Sequence, residues 1–219
     1  MAVKNEFARS RLRRQVFFAF VFLAILAAGW FYPLLGFFIP ACMVLGIGIA
    51  LFRGRKWCDW FCPRGSFFDA LMKPVSPLKK IPGFFKGLPF RIGVIAFLMG
   101  MMTLQITLRW PDPGRIGMFF IILLSVTTAI GIILAFAVHP RTWCSFCPIG
   151  SMNNWVDRQN YLLKIDGASC TKCALCAKVC PVQVTPYDFR QETKSPITDR
   201  DCLRCGLCVS SCPKKALEL

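Results

Sequence analysis

The sequence has little charge, few acidic residues and almost no histidine. Of its 219 residues only 17% are charged, and 11 acidic residues stand against 27 lysines and arginines. A soluble domain of this size carries more charge, and a disordered chain has far fewer apolar residues than the 55% found here. The single histidine, His139, excludes a haem held by two histidines. The sequence also lacks a general acid–base pair, a nucleophile motif and a phosphate-binding loop.

Four long uncharged stretches account for the high apolar content. Each has about 17–22 residues, enough to cross a hydrocarbon layer of about 30 Å as a helix. A chain of this size has no interior that could bury four such helices, which argues against soluble core helices. We predict four transmembrane helices, at residues 15–32, 34–52, 92–108 and 117–138.

The basic residues cluster in the segments that flank these helices. Residues 1–14 contain five lysines and arginines, and residues 53–91 contain nine beside only Asp59 and Asp69. The positive-inside rule predicts a multi-pass protein of the bacterial cytoplasmic membrane with both termini in the cytoplasm. A signal peptide is the alternative for residues 1–30, but the sequence predicts an uncleaved first helix. The placement of the charge favours a lipid surface over nucleic acid as its partner.

Residues 73–89 connect the second and third predicted spans. They contain four prolines, so no long helix is expected there. Lysines alternate with Ile81, Phe84 and Phe85. This mixture is typical of a segment at the lipid headgroups and also of a solvated loop.

Eight cysteines near the C-terminus form two runs of identical spacing, C-x2-C-x2-C-x3-C-P. The second run follows the first by 32 residues. Bacterial ferredoxins with two [4Fe-4S] clusters have this pattern, and the fourth cysteine of each run binds the other cluster. Zinc is a weak alternative for two complete runs, and disulfides conflict with a cytoplasmic position. We predict one cluster on Cys170, Cys173, Cys176 and Cys212, and the other on Cys202, Cys205, Cys208 and Cys180.

These patterns predict two domains. Residues 1–158 form an all-α membrane domain of four transmembrane helices, and residues 159–219 form a small α+β ferredoxin domain of the bacterial two-[4Fe-4S] type. In the ferredoxin domain we expect short strands at Ile165-Asp166 and Ile197-Thr198, and a helix opened by the fourth cysteine of each run. So short a domain buries little apolar surface, so its fold depends on its clusters.

Two further cysteine pairs lie where the second and fourth spans end, in RKWCDWFCPRGS and RTWCSFCPIGS. Arg-x-Trp-Cys and Phe-Cys-Pro-x-Gly-Ser occur in both, which a duplicated pair of helices explains. Together the pairs supply four thiolates, the number that a third iron–sulfur cluster or a metal ion needs. Redox-active thiols and helix-end packing are the alternatives. We call these residues the hairpin cysteines: Cys58, Cys62, Cys144 and Cys147.

Five residues near the ends of the spans complete the candidate site. His139 lies immediately before Pro140, and its ordinary pKa near 6.5 suits a proton acceptor for a quinol. An ordinary interfacial histidine is the alternative. The other four are basic residues expected to offset the negative charge of a thiolate-bound cluster: Arg55, Lys56, Arg64 and Arg141.

Four membrane helices, WCDWFCP and TWCSFCP at helix ends, and two ferredoxin runs resemble the membrane-bound polyferredoxin family over nearly the whole chain. Its members include the quinol dehydrogenase subunit NapH and the nitrous oxide reductase regulator NosR. The resemblance implies oxidation of quinol, with electrons passed to a partner iron–sulfur or cytochrome protein. The second hairpin departs from the family in having two residues between its cysteines instead of three. No segment resembles the flavin-binding domain of NosR.

Several functions fit these features. The leading hypothesis is electron transfer between the quinol pool and a partner redox protein of a respiratory chain, which leaves open whether the chain is itself a quinol dehydrogenase. The alternative is an assembly, maturation or regulatory factor that supplies electrons to a respiratory metalloenzyme, in a NosR-like or copper-handling role. A redox sensor or a membrane anchor for a larger complex is a third hypothesis.

Overall fold

The computed structural model describes residues 2–157 and 161–219. The longer helices are α1 (Ala2–Gly29), α2 (Phe38–Arg53), α5 (Leu88–Arg109) and α6 (Pro113–Ala137), and the shorter ones are α3 (Lys56–Trp60), α4 (Pro63–Phe67), α7 (Thr142–Phe146), α8 (Pro148–Val156), α9 (Leu175–Lys178) and α10 (Leu207–Ser211). A π-helical turn covers Phe68–Met72, and 3₁₀ turns cover Pro33–Phe37, Lys73–Val75, Gly83–Lys86 and Pro186–Phe189. The strands are β1 (Lys164–Asp166), β2 (Lys194–Pro196) and β3 (Leu217–Glu218).

Among the described residues, four helical segments are long and apolar enough to cross a membrane, one for each predicted span. They are Glu6–Gly29, Pro33–Arg53, Leu88–Arg109 and Pro113–Ala137. The first helix begins at Ala2 and not at residue 15. Arg11 and Gln15 lie on this early part, and both are buried.

Helix α6 is the most buried of the four. Half of its most apolar stretch is buried, compared with 17–22% in the other three. Its start is fixed by Asp112, whose side chain accepts hydrogen bonds from the backbone N–H groups of Gly114 (3.0 Å) and Arg115 (3.3 Å). Pro113 occupies the first turn, where its missing N–H group costs nothing.

Helix α6 packs tightly against the Pro33–Phe37 turn because glycine lies on both sides of the contact. A Cβ atom at Gly117 would lie 2.2 Å from the Pro33 carbonyl oxygen, and one at Gly36 would lie 2.1 Å from the Gly117 carbonyl oxygen. We expect Gly117→Ala to lower the free energy of unfolding by about 1–3 kcal/mol, because two backbones must move apart.

Thermal unfolding in detergent measures this effect. Gly100→Ala is the matched control, because a Cβ atom there meets no described atom within 4 Å and alanine favours a helix over glycine by about 1 kcal/mol. Equal midpoints for Gly117→Ala and the wild type would contradict the close contact.

Residues 73–89 contain two 3₁₀ turns and no long helix, in agreement with their prolines. The middle of the segment packs against residues 161–219, which we call the C-terminal segment. The Gln183 side chain accepts a hydrogen bond from the Ile81 N–H group (2.8 Å) and donates one to the Lys79 carbonyl oxygen (2.9 Å). Lys86 Nζ donates to the Val182 carbonyl oxygen (3.0 Å). This part is therefore an interface within the protein, and neither a free loop nor a purely lipid-facing segment.

The strands form one antiparallel sheet in the order β2-β1-β3. Ile165 lies opposite Ser195 on β2 and opposite Leu217 on β3. The predicted strand at Ile165-Asp166 lies within β1, but β2 ends before the one predicted at Ile197-Thr198. Ile197 instead donates its N–H to the Leu163 carbonyl oxygen (2.7 Å) beyond the strand. The predicted domain boundary between residues 158 and 159 lies outside the described residues.

Candidate metal centres

The eight cysteines of the C-terminal segment come together in two sets of four. The first cavity is lined by Cys170, Cys173, Cys176 and Cys212. The second cavity is lined by Cys180, Cys202, Cys205 and Cys208. Each cavity thus joins three cysteines of one run to the fourth cysteine of the other, and apolar side chains supply most of the remaining walls.

The loops that carry the first three cysteines of each run turn through left-handed residues at equivalent positions. These are Lys172 (φ 52°) and Ala174 (φ 58°) in the first run, and Arg204 (φ 51°) and Gly206 (φ 80°) in the second. Alternating left-handed and right-handed residues make backbone concavities that bind anions, including iron–sulfur clusters. Four thiols around such a loop fit the donor set of a [4Fe-4S] cluster.

Cys180 and Cys212 each follow a short helix, which corrects the prediction that they open one. Helices α9 and α10 end at Lys178 and Ser211. Because the residue before a proline disfavours the helical region, each Cys-Pro pair ends its helix. The sulfur atoms then accept backbone N–H groups: Val184 N–H lies 3.3 Å from Cys180 Sγ, and Ala216 N–H lies 3.4 Å from Cys212 Sγ.

The two cavities differ in exposure. Cys173 is exposed at the first, whereas Cys205 is 8% exposed at the second. Burial raises the pKa of Cys202 to about 11 and that of Cys208 to about 12. These thiols are therefore protonated at neutral pH, and any metal that binds them must release their protons.

The hairpin cysteines line a third cavity, which encloses about 120 Å³. All four candidate spans contribute to its walls, for example through Phe22, Cys42, Met102 and Leu124. The cavity is apolar apart from the thiols, Thr127 and two arginines. It therefore combines an apolar space among the spans with a polar group of thiols and arginines.

Arg55 and Arg141 each reach from one hairpin to the other. Arg55 Nη2 donates to the Cys144 carbonyl oxygen (3.1 Å), and Arg141 Nη1 donates to the Cys58 carbonyl oxygen (3.0 Å). Arg141 Nη1 also lies 3.9 Å from Cys144 Sγ. Both arginines are almost fully buried, with 2% and 0% of their surface exposed. Burial raises the pKa of the Cys58 and Cys144 thiols. Arg55 and Arg141 oppose the rise at Cys58, and Arg141 opposes it at Cys144.

The other two predicted basic residues have different positions. Arg64 lines the hairpin cavity, donates to the Thr127 carbonyl oxygen and lies 4.7 Å from the centre of the Trp143 ring. Lys56 lies over the Trp60 ring, with its Nζ 5.1 Å from the ring centre. The positive charge at the cavity itself therefore comes from arginines.

A buried group of charges beside the hairpin cavity was missed by the sequence analysis. Asp69 accepts hydrogen bonds from Arg141 (2.8 and 2.7 Å), Arg11 (2.9 Å) and Gln15 (2.8 Å). Asp59 pairs with Arg11 and is 1% exposed. Burial alone would raise the pKa of Asp69, but Arg141 and Arg11 outweigh it and lower that pKa. The sequence contains one sign of this group, because Asp59 and Asp69 are the only acidic residues among the nine basic ones of residues 53–91.

His139 lies on a different cavity from the hairpin cysteines. This fourth cavity, of about 240 Å³, is also lined by Asp69, Lys73 and Cys180. The Arg141 backbone N–H donates to His139 Nδ1 (3.2 Å). Burial lowers the pKa of His139 to about 4, so the ring is neutral at pH 7.

We expect His139 to make the protein less stable in acid. Its pKa is lower in the folded protein than the ordinary 6.5, so the unfolded chain binds this proton more tightly and stability falls as the pH drops from about 6.5 to about 4. Thermal midpoints at pH 7 and pH 5 measure the loss in the wild type and in His139→Asn, whose amide oxygen can still accept the Arg141 N–H. The wild type should lose more than the variant, and equal losses would contradict the burial of a neutral ring.

Comparison with protein families identifies the type of domain. A 4Fe-4S binding domain family matches residues 35–82 and 114–165, which contain the hairpin cysteines. A 4Fe-4S dicluster domain family matches residues 162–213, which contain both ferredoxin runs. The chain contains 4Fe-4S ferredoxin domains.

Individual relatives are distant. The chain is 27% identical over 156 residues to an uncharacterised protein of Methanocaldococcus jannaschii, which covers 64% of this chain and 57% of the relative. A second protein of that organism is 26% identical over 156 residues, covering 65% of each chain. The methylamine utilization ferredoxin-type protein MauN of Methylobacillus flagellatus is 26% identical over 140 residues, covering 60% of this chain and 50% of MauN.

These matches span about half to two thirds of the length of the relatives. No solved structure matches the chain at a significant level. The comparisons support an iron–sulfur electron-transfer protein of the ferredoxin type, and the resemblance to NapH and NosR stays a prediction.

Proposed function

We propose that this chain is a membrane iron–sulfur protein that passes electrons between quinol and a partner redox protein, as a NapH-like subunit. The observation that carries the proposal is the hairpin cavity. Its apolar walls come from all four candidate spans, and the hairpin cysteines lie beside Arg64 and Arg141 on the same cavity. A lipid-soluble redox molecule that enters between the spans therefore reaches metal-ligating thiols directly.

The C-terminal segment holds two [4Fe-4S] clusters in this proposal. Each cluster, when bound, accepts and returns single electrons. The chain contributes the thiolates, the left-handed loops around them and the N–H groups that donate to sulfur. The ligand sets are Cys170, Cys173, Cys176 and Cys212, and Cys180, Cys202, Cys205 and Cys208.

The hairpin cysteines hold a third cluster. The match of a 4Fe-4S binding domain family to both hairpin segments supports this assignment. Further support comes from the positive charge of Arg55, Arg64 and Arg141, since a cluster bound by four thiolates carries negative charge. Positive charge and hydrogen bonds near the sulfur atoms raise the potential of such a site, which brings it closer to that of a quinone.

Three polar N–H groups support a ligand with acceptor atoms in the hairpin cavity. Trp57 Nε1, Trp143 Nε1 and Arg64 Nε are buried and have no hydrogen-bond partner among the described residues. All three residues line the cavity. A quinol has oxygen acceptors on an apolar ring, which matches buried donors in an apolar wall.

The reciprocal contacts of the hairpins support a duplicated pair of helices. Arg55 and Arg141 occupy equivalent positions and bind equivalent carbonyl groups on the opposite hairpin. Gly65 and Gly150 also correspond, and a Cβ atom on either would lie about 3 Å from the crossing arginine. Both hairpins and both termini face the cytoplasm in this proposal, with the surrounding lysines near anionic lipid.

Anaerobic titration of the purified protein with a menaquinol analogue tests the function. Cluster absorbance and EPR signals report reduction, and dithionite defines full reduction. Quinol should reduce a substantial part of the signal that dithionite reduces. If dithionite reduces the clusters and quinol does not, the electron donor is cytoplasmic, and a maturation factor that supplies electrons to a metalloenzyme becomes the better assignment.

A further inference from the structure

We propose that Asp201 docks the second cysteine run onto the hairpins by supplying a carboxylate that the second hairpin lacks. Asp201 immediately precedes Cys202 in the C-terminal segment. It is a positioning residue, since it acts through the arginines that it binds. The inference about docking stands on contacts alone, and its importance for electron transfer rests on the proposed function.

The first hairpin segment supplies its own carboxylate. Asp69 follows Cys62 by seven residues and binds Arg141 of the other hairpin through two hydrogen bonds, of 2.8 and 2.7 Å. The same arginine donates to the Cys58 carbonyl oxygen (3.0 Å). Asp69 thus fixes Arg141, one of the two arginines that link the hairpins.

The second hairpin segment has an amide at the equivalent position. Asn154 follows Cys147 by seven residues, as Asp69 follows Cys62. Arg55, the counterpart of Arg141, therefore receives no carboxylate from the second hairpin segment. Asp201 supplies it: Arg55 Nη1 lies 2.8 Å from Asp201 Oδ1, and Asn154 Nδ2 donates to the same oxygen (3.0 Å).

Two further ion pairs make the docking specific. Arg91, at the start of α5, donates to both carboxylate oxygens of Asp201 (2.9 and 2.7 Å). Arg204, between the cysteines of the same run, pairs with Asp157 at the end of α8. These contacts lie on both sides of Cys202, so they hold the start of the second cysteine run against residues 2–157.

The position of the two runs follows from this docking. The second run lies beside the hairpins, while the first run presents the exposed Cys173 to solvent. Lys172 and Lys214 line the same first cavity, and both are exposed. The first cavity is therefore the one with a cysteine and lysines open to a partner protein.

Hydrogen–deuterium exchange on the cluster-loaded, full-length protein tests the docking. The backbone amides of residues 54–58 report the hairpin side, and those of residues 199–204 report the C-terminal segment. We expect Asp201→Asn to raise exchange at least tenfold in both, because Arg55 and Arg91 lose their carboxylate. Asp201→Glu should restore most of the protection, and Asp188→Asn, at an exposed acid of the same segment, should have no effect.

A compensating variant separates docking from general stability. In the double variant Asn154→Asp with Asp201→Asn, the second hairpin supplies its own carboxylate to Arg55. Residues 54–58 should regain protection, while residues 199–204 stay exchange-prone. Restored protection in both segments, or unchanged exchange in Asp201→Asn, would overturn the proposal.

Iron content and quinol titration separate this inference from the proposed function. Asp201→Asn should keep the iron content of the wild type, because it removes no cysteine. If the hairpin cavity is not a quinol site, titration fails for the wild type and the variant alike, while the exchange result is unaffected. If docking matters for electron transfer, the variant loses quinol reduction of the C-terminal clusters and keeps dithionite reduction.

Discussion

Replacing Cys58 and Cys144 by alanine should remove about four iron atoms per chain and leave the iron of the C-terminal segment in place. The reason is geometric, because each hairpin supplies only two of the four thiols that line the hairpin cavity. The two thiols that remain, Cys62 and Cys147, are too few to hold a cluster. Iron and acid-labile sulfide analysis of the purified variant measures the loss.

The same variant should also lose reduction by quinol and keep reduction by dithionite. Cys42→Ala is the matched control, since Cys42 lines the same cavity from the middle of α2. It should leave the iron content unchanged. Wild-type iron content in the double variant would show that the hairpins hold no cluster, and the hypothesis of redox-active thiols would then take its place.

Replacing Asp69 by asparagine should lower the free energy of unfolding by about 3–5 kcal/mol, the usual cost of breaking a buried ion pair from one side. Asp69 is 8% exposed and binds Arg11 and Arg141. Its loss leaves two buried guanidinium groups with Asp59 as their remaining carboxylate. Thermal or denaturant unfolding in detergent measures the change.

The control and the pH dependence make this prediction specific. Asp112→Asn removes an exposed ion pair with Arg115 and keeps a good helix cap, so it should cost about 0–1 kcal/mol. Because the pKa of Asp69 is lowered in the folded protein, its contribution is complete above the ordinary aspartate pKa and is lost only in stronger acid. The deficit of Asp69→Asn should therefore be no smaller at pH 5 than at pH 7. A deficit as small as that of Asp112→Asn would contradict the buried network.

The ion pairs of Asp69 and Asp201 fix the two hairpin arginines in the same way. Arg141 pairs with Asp69, which also lies within residues 2–157, and Arg55 pairs with Asp201 of the C-terminal segment. Each arginine then fixes the backbone of the opposite hairpin. The shape of the hairpin cavity therefore depends on the docking of the ferredoxin runs as well as on the four spans.

The sequence alone was enough to predict the features that are periodic or local. Four uncharged stretches of membrane length correctly predicted four long apolar helices. A chain of this size has no interior that could bury four such segments. The spacing of each cysteine run depends on loop geometry over a dozen residues, so the two sets of four could be predicted without a structure. The prediction that Cys180 and Cys212 open a helix was wrong, because each Cys-Pro pair ends the preceding helix instead.

The tertiary structure decided everything that depends on distant partners. Asp59, Asp69 and Asp201 carry no motif, and their importance comes from arginines 48 to 146 residues away. His139 lies on a separate cavity from the hairpin cysteines, with a neutral ring, and its role as a proton acceptor for a quinol stays a prediction. Composition and spacing determined that this chain has apolar spans and sets of thiols, because those signals are local in the sequence. Packing between distant segments decides which carboxylate is buried against which arginine, so only the folded chain shows these pairs.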